Sequence, residues 1–269
     1  MFDASTADAA ASELIRQHAA REAFRALDGD WSLPDAETAY QVQDAYVRQL
    51  ARLRNTKICG YKIALTTPAM REMVGYGDSV GGYLMADQIL RSGKSIEAAS
   101  YGRLIVEFEI AFRIARDLPE VGNHVLDRAR IARYIACAYP ALEVADDRGA
   151  DYSTLATQSI FTLFADNAWN QGLVLGNAID TIDPDRLLQV EGVASLDGTE
   201  VGRGTGRDVM GHPLDALAWL ANHVEARGMR LKKDDLVTTG SLVKSQFPRA
   251  GKRVRFELKG MGEVELEVV

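Results

Sequence analysis

Leu104-Ile105-Val106-Glu107-Phe108-Glu109-Ile110-Ala111-Phe112-Arg113-Ile114 is the stretch on which the reading of this chain turns. Its alternation at period two predicts a strand, and successive side chains of a strand point to opposite faces. Glu107 and Glu109 therefore share a face, about 7 Å apart at Cα. Both are embedded in apolar sequence, and two like charges on such a strand are costly unless a cation compensates them. A third acid repeats the pattern in Pro140-Ala141-Leu142-Glu143-Val144, one carboxylate between apolar residues.

Upstream, apolar residues recur at helical spacing from Ala7 to about Leu27, and again from Asp35 or Ala36 to Leu53, with Ser32-Leu33-Pro34 as the break. After Lys57 the pattern changes to short apolar runs, Gly60 to Leu65 first, and the Gly-rich stretch Gly75 to Tyr83 reads as a loop. Downstream, Asp127 to Tyr139 reads as a helix ended by Pro140, and Ala141 to Ala145 as a short strand. Leu187 to Ser195 and Glu200-Val201 flank Asp197-Gly198, a hairpin signal. Pro213 to Arg227 reads as a helix with proline in its first turn and Gly228 past its end. A last hairpin turns at Gly260-Met261-Gly262. Strands outnumber helices after residue 57, without the regular alternation of a doubly wound sheet. The expected class is α+β, with a helical N-terminal region over 1–57 and a β-rich, metal-binding catalytic domain over 58–269.

The chain has 269 residues, 47% hydrophobic and 26% charged, which is ordinary globular composition. A formal charge of -7 argues against a broad footprint for nucleic acid or an anionic membrane and favours a small-molecule partner. Cys59 and Cys137 lack the close spacing of a zinc site or redox pair and read as buried thiols in a reducing compartment. Met1 to Arg21 lacks the basic start and unbroken apolar run of a signal peptide, and no later run approaches the ~20 apolar residues of a membrane span. The expected location is the cytoplasm, with no membrane partner.

Three carboxylates without a nearby histidine or thiolate are hard oxygen ligands, suited to Mg2+ or Mn2+. Spacing alone rather favours acids that face solvent or pair with Lys62, Arg113 or Arg148. Glu263, Glu265 and Glu267 have the same spacing, yet Arg255 and Lys259 on the expected partner strand make that a solvated, cross-paired face. Lys62, in an apolar strand before Thr66-Thr67-Pro68, reads either as a buried ammonium that binds a carboxylate or donates a proton, or as a lysine snorkelling from a strand end. Gly240-Ser241 offers backbone N–H groups and a hydroxyl to an anion, or a plain turn. Gly202-Arg203-Gly204-Thr205-Gly206 follows a hairpin rather than the first strand of a βαβ unit, so it is not a dinucleotide loop. His212 belongs to the start of the helix at Pro213, while His18, His124 and His223 lie in polar surroundings and form no Ser/His/Asp order.

Taken together these pieces resemble the hydratase/decarboxylase branch of the fumarylacetoacetase superfamily, the 2-hydroxypentadienoate hydratase and 4-oxalocrotonate decarboxylase family. The likeness runs through Gly60 to Thr66, Val106 to Phe112, Pro140 to Val144, Ala165-Asp166-Asn167-Ala168, Gly211-His212-Pro213-Leu214 and Thr239-Gly240-Ser241-Leu242, in the family's order over nearly the whole chain. It implies a mostly β catalytic domain of fumarylacetoacetase C-terminal type. It implies Glu107, Glu109 and Glu143 as metal ligands, Lys62 and Asp78 as catalytic residues, and Leu65, Thr66, Asp166 and Ser241 at the substrate. A homo-oligomer is implied, with an enzyme of a neighbouring pathway step as a further partner. Two departures bear on the substrate: Val243 stands where the family often has threonine, and the loop Gly75 to Gly81 differs from the usual pattern, although Asp78 can be matched.

The implied reaction is hydration of a 2-hydroxy-2,4-dienoate, in which a cation binds the C1 carboxylate and C2 oxygen and stabilises charge developing there. Ketonisation gives an enone, and water adds at C4 to give a 4-hydroxy-2-oxo acid. The alternatives are a vinylogous decarboxylase of 4-oxalocrotonate type and an acylpyruvate hydrolase, the latter disfavoured by the lack of a dedicated Glu/His pair. A non-catalytic binding protein is a further alternative, against which the intact acids argue.

Overall fold

A computed structural model of the protein describes residues 2–120, 125–180 and 182–269, so His124 lies outside the described residues. Two helices open the chain, α1 (Ala4–Ala19) and α2 (Ala36–Leu53), and the carboxylates of Asp3 and Asp35 cap their first turns by accepting from Thr6 and Thr38 N–H. The first helix stops well before Leu27, contrary to the sequence expectation. Arg21 adopts φ 53°, and the N–H groups of Arg21 and Glu22 return to the carbonyls of His18 and Gln17. This left-handed closure usually takes glycine, and an arginine there gives no signal in sequence.

β1 (Ile58–Ala64), α3 (Pro68–Val74) and β2 (Val80–Met85) follow. The expected loop from Gly75 to Tyr83 is thus half strand, its glycines paired with β1 in the register Lys62 to Gly82 and Ile63 to Gly81. β3 (Ile89–Arg91), β4 (Lys94–Ile96) and β5 (Leu104–Ile114) come next. In place of the helix expected over 127–139 there is only α4 (Arg128–Ile131) and a short 3-10 turn before β6 (Ile135–Asp146). Pro140 lies inside this strand. Its carbonyl accepts from Gly176 N–H, so its missing N–H faces the side where the neighbouring strand has ended, not β5.

The chain continues through α5 (Tyr152–Thr154), a π turn over Leu155–Ser159, α6 (Ile160–Ala165) and β7 (Asn170–Leu175). Leu187 to Gln189, expected as strand, belongs to α7 (Pro184–Gln189), which Asp183 caps and Pro184 opens. β8 (Glu191–Leu196) and β9 (Thr199–Thr205) form the expected hairpin at Asp197-Gly198, both with positive φ. α8 (Pro213–Ala226), β10 (Leu236–Gln246) and the hairpin of β11 (Lys252–Leu258) with β12 (Gly262–Val268) complete the fold.

The strands form two sheets, ordered β2-β1-β10-β5-β6-β7-β3 and β4-β12-β11-β8-β9. The even face of β5, Val106, Phe108 and Ile110, packs into the main core, where Phe108 meets Phe256 of β11 at 5.6 Å between ring centroids. The odd face carries Ile105, Glu107 and Glu109 away from it. The Gly-rich run on β9 is a close sheet contact, because a Cβ on Gly204 would fall 1.8 Å from the Leu242 carbonyl oxygen. Ala7, Leu14, Val42 and Val47 of the N-terminal helices share the same core. Glu263 and Glu267 pair with Arg255 and Arg253 on the exposed face of the last hairpin. Among the described residues no helix is long and apolar enough to cross a membrane.

Candidate active site

The register of the central sheet assembles the acids. Glu107 of β5 stands opposite Glu143 of β6, while Glu109 stands between Ala141 of β6 and Ser241 of β10. One carboxylate oxygen from each of Glu107, Glu109 and Glu143 lies within 4.8 Å of the others. Glu109 and Glu143 are buried, and Glu107 is half-buried at the wall of a cavity of about 510 Å3.

Each acid has a donor. Ser245 Oγ gives to Glu107 Oε1 at 2.7 Å, Gly240 N–H to Glu109 Oε2 at 2.9 Å, and Asn170 Nδ2 to Glu143 Oε1 at 3.0 Å. Lys62 is buried beside them, its Nζ 2.9 Å from Glu143 Oε1 and 3.5 Å from the Ala168 carbonyl oxygen. One ammonium does not balance three carboxylates. Burial and the neighbouring acids push Glu109 well above the usual carboxylate range, and burial with Glu143 raises Glu107. Burial alone would lower Lys62, but the surrounding glutamates outweigh it and hold the ammonium above its ordinary pKa.

Glu109 Oε1 and Glu143 Oε2 are buried with no hydrogen-bond partner. A buried charged oxygen without a donor costs several kcal/mol, on the order of the desolvation of an ion. A divalent cation among these oxygens removes that cost, and an all-oxygen donor set suits Mg2+-type ions. The residues present fit such an ion.

Of the other predicted residues, Leu65, Thr66 and Ser241 line the cavity. Leu65 has φ 59°, and its carbonyl accepts from Arg71 Nη1 and Ser79 Oγ. Thr66 lies under Gly240 so closely that a Cβ there would be 2.4 Å from Thr66 Oγ1, and Gly240 itself has φ 99°. The Ser241 hydroxyl donates to the Val243 carbonyl and accepts from Phe108 N–H. Asp78 is exposed and outside the cavity lining, accepting from Ser79 N–H at 2.7 Å and Trp219 Nε1 at 3.1 Å. Asp166 is buried between His18 Nε2 at 2.6 Å and Arg148 Nη2 at 2.7 Å, and is likewise outside the lining. Burial would raise Asp166, but these two partners together hold it below the carboxylate range.

Of the histidines expected in polar settings, His18 is in one, and His223 is not. His18 is engaged by Asp166, and His223 stacks on Trp219 at 4.9 Å, its pKa lowered by burial and by Arg227 to about 4. His212 caps α8 as expected, Nδ1 accepting from Leu214 N–H.

Sequence reasoning missed Asn170 and Ser245, which hold Glu143 and Glu107, and the turn Asn167-Ala168-Trp169. These three non-glycine residues have φ of 52°, 46° and 62°. Each such conformation costs on the order of 1–3 kcal/mol and persists only where surroundings impose it. Here the Asn167 amide donates to the Tyr83 carbonyl and accepts from Tyr83 N–H, pinning the turn to β2. The turn sets the Ala168 carbonyl beside Lys62 and Trp169 in the cavity wall. A second cavity, of about 540 Å3, is bounded by His18, Tyr46, Val144, Asp146 and Arg148 and contains none of the three glutamates.

Fold and site together define a β-sheet protein built around a cation-ready carboxylate trio. The chain belongs to the fumarylacetoacetate (FAA) hydrolase C-terminal family, whose pattern matches residues 69–269. It is 29% identical over 275 residues to the 2-oxo-hept-4-ene-1,7-dioate hydratase of Escherichia coli, covering 100% of both chains. It is 32% identical over 266 residues to 2-keto-4-pentenoate hydratase 1 of Dechloromonas aromatica, covering 96% of this chain and 95% of that one. In three dimensions it matches the 4-oxalocrotonate decarboxylase of Pseudomonas putida G7, complexed with magnesium and adipate, with a TM-score of 0.89 and 22% identity over 100% of this chain and 99% of that one.

Proposed function

We propose that this protein is a metal-dependent hydro-lyase that converts a 2-hydroxy-2,4-dienoate into a 4-hydroxy-2-oxo acid, as in the catabolism of aromatic compounds by meta-cleavage. The observation that carries this is the pair of buried, donor-less oxygens on Glu109 and Glu143, grouped with Glu107 and the buried ammonium of Lys62, both of which line a cavity. Relatives of nearly equal length named as hydratases support it.

Glu107, Glu109 and Glu143 would hold Mg2+ or Mn2+, ions that oxygen-only donors suit. The ion, when bound, supplies Lewis-acid stabilisation of the negative charge that develops on the C2 oxygen. Ketonisation removes the proton from the C2 hydroxyl and delivers one to C5, leaving a 2-oxo-3-enoate. Water then bonds through oxygen to C4 while a proton reaches C3. We assign proton movement to Lys62 Nζ, the ionisable donor at the cavity wall beside the carboxylates. Thr66 and the Leu65 backbone orient the substrate, and the Ser241 hydroxyl fixes the strand that delivers Gly240 N–H to Glu109. Asp78 acts from outside the cavity as a positioning residue, through Ser79 to the Leu65 carbonyl. Asp166 supports the strained turn that follows it.

A decarboxylase is the second reading, because fold and carboxylate trio alone do not separate the two reactions. A cytoplasmic homo-oligomer, in contact with the enzyme of a neighbouring step, belongs to the same proposal. The test is incubation of metal-loaded protein with 2-hydroxypenta-2,4-dienoate, 4-oxalocrotonate and an acylpyruvate, with products identified by NMR. A 4-hydroxy-2-oxo acid from the first supports hydration; turnover of only the second or third transfers the chain to decarboxylation or C–C hydrolysis.

A further inference from the structure

Beyond the glutamates, the cavity changes character. On the face of β5 and β6 that carries the Glu107 and Glu143 pair, the next opposed pair is Ile105 and Ala145, about 7 Å farther along. From there the wall is continued by Met70, Met73 and Val74 of α3 and by Leu155 and Leu163. The cations near this end are committed elsewhere. Arg103 is bidentate to Asp147 and also donates to the Ala150 carbonyl, and Tyr152, which lines the wall, gives its hydroxyl hydrogen to the same Asp147. Lys244 also lines the cavity, and because Val243 stands opposite Phe108 and Gln246 opposite Val106, its backbone lies level with Glu107, at the carboxylate end. Asp208 adds a further negative charge to the lining.

We infer that this far wall selects dienoates with an uncharged alkyl tail and rejects those that end in a second carboxylate. The inference rests on the hydratase reading and narrows its substrate class. A methyl or ethyl tail exchanges water for Ile105, Leu155 and Leu163, each buried methylene being worth about fourfold in binding. A tail carboxylate would lose its hydration there and meet no cation in the apolar wall, only the neutral indole N–H of Trp169 beside Tyr152, at a cost of on the order of 100-fold or more.

The test compares kcat/KM of the metal-loaded enzyme for 2-hydroxypenta-2,4-dienoate, 2-hydroxyhexa-2,4-dienoate and 2-hydroxyhepta-2,4-diene-1,7-dioate. The expected order is the methyl-bearing substrate first, about fourfold above the unsubstituted one, with the dioate lowest. Met70→Lys should improve the dioate relative to the methyl substrate. A wild-type enzyme that hydrates the dioate as well as the methyl substrate overturns the inference while leaving the hydratase reading standing. So does a dioate preference that disappears in Lys244→Met, which would assign tail recognition to that lysine. Calorimetry with the unreactive 2-oxohexanoate and 2-oxoadipate separates the two ideas. Tighter binding of 2-oxohexanoate with no hydration of any dienoate keeps the tail selectivity and removes the proposed reaction; tighter binding of 2-oxoadipate overturns the selectivity.

Discussion

Glu107 and Glu143 oppose each other across neighbouring antiparallel strands, a like-charged pair at a position where opposite charges or apolar contacts would stabilise the sheet. Glu109 two residues along adds a third acid to the same volume, and Lys62 answers only one of them.

The metal-free protein should therefore be destabilised by its own site. Burial and its acidic neighbours raise the folded-state pKa of Glu109 well above its unfolded value. The stability it contributes is complete below about pH 4.5 and is lost as pH rises through the folded pKa. Glu109→Gln retains an oxygen for Gly240 N–H and removes the charge, so without metal it should stabilise by about 1–4 kcal/mol at pH 8. Saturating Mg2+ should reverse the order, raising the wild type and leaving the variant nearly unmoved. Urea unfolding with chelator and with metal checks both halves; an apo variant no more stable than the apo wild type means the charge is already relieved.

Lys62→Met keeps an apolar stem and removes the ammonium. Turnover should fall by about 10²- to 10⁴-fold, the range associated with a lost proton-transfer group. Metal affinity should hold, because the ligand oxygens remain. Calorimetric titration with Mg2+ separates the roles: loss of metal along with activity would make Lys62 an organiser of the carboxylates.

Oxalate carries two oxygens in the geometry of a 2-oxo acid's reactive end but has no tail. It should compete with substrate in metal-loaded protein and should not bind the chelated protein. Inhibition that is not relieved by substrate, or that persists without metal, would place the binding end away from the three glutamates.

His223 gives a pH dependence of a different origin. Burial and Arg227 hold its pKa near 4, with Asp78 and Asp44 opposing weakly, whereas the unfolded chain protonates near 6.5. The unfolded state therefore binds more protons between those values, and stability should fall as pH drops from about 6.5 to 4, by roughly 3 kcal/mol at most. His223→Gln should flatten this limb by up to one proton. Denaturant midpoints from pH 7 to 4.5 check it; an unchanged slope would assign the proton to another group.

The parts legible in sequence were those governed by local periodicity. β5 was recognisable over its full length because its alternation is unbroken. α2 and α8 carry caps and prolines where helices start. β6 was not, because a proline in mid-strand is tolerated only through a neighbour's early ending, a tertiary circumstance. Glu107, Glu109 and Glu143 stood out as charges among apolar residues. Asn170 and Ser245 did not, being polar residues whose partners lie 27 and 138 positions away. The left-handed turn at Asn167-Ala168-Trp169 contains no glycine to announce it.

The N-terminal helices have a bearing on catalysis although none of their residues touches the glutamates. The Gln43 amide of α2 donates to the carbonyls of Phe164 and Gly81, and Leu27 N–H donates to Thr162 Oγ1. His18 of α1 holds Asp166. The contact to Gly81 holds β2, and the others fasten α6 and its strained sequel, the elements that carry Leu163 and Trp169 to the cavity wall. The opening helices serve as the abutment of an arch whose span is the cavity wall. Cutting them away would not release a smaller enzyme, but would let the wall that receives the substrate's tail collapse.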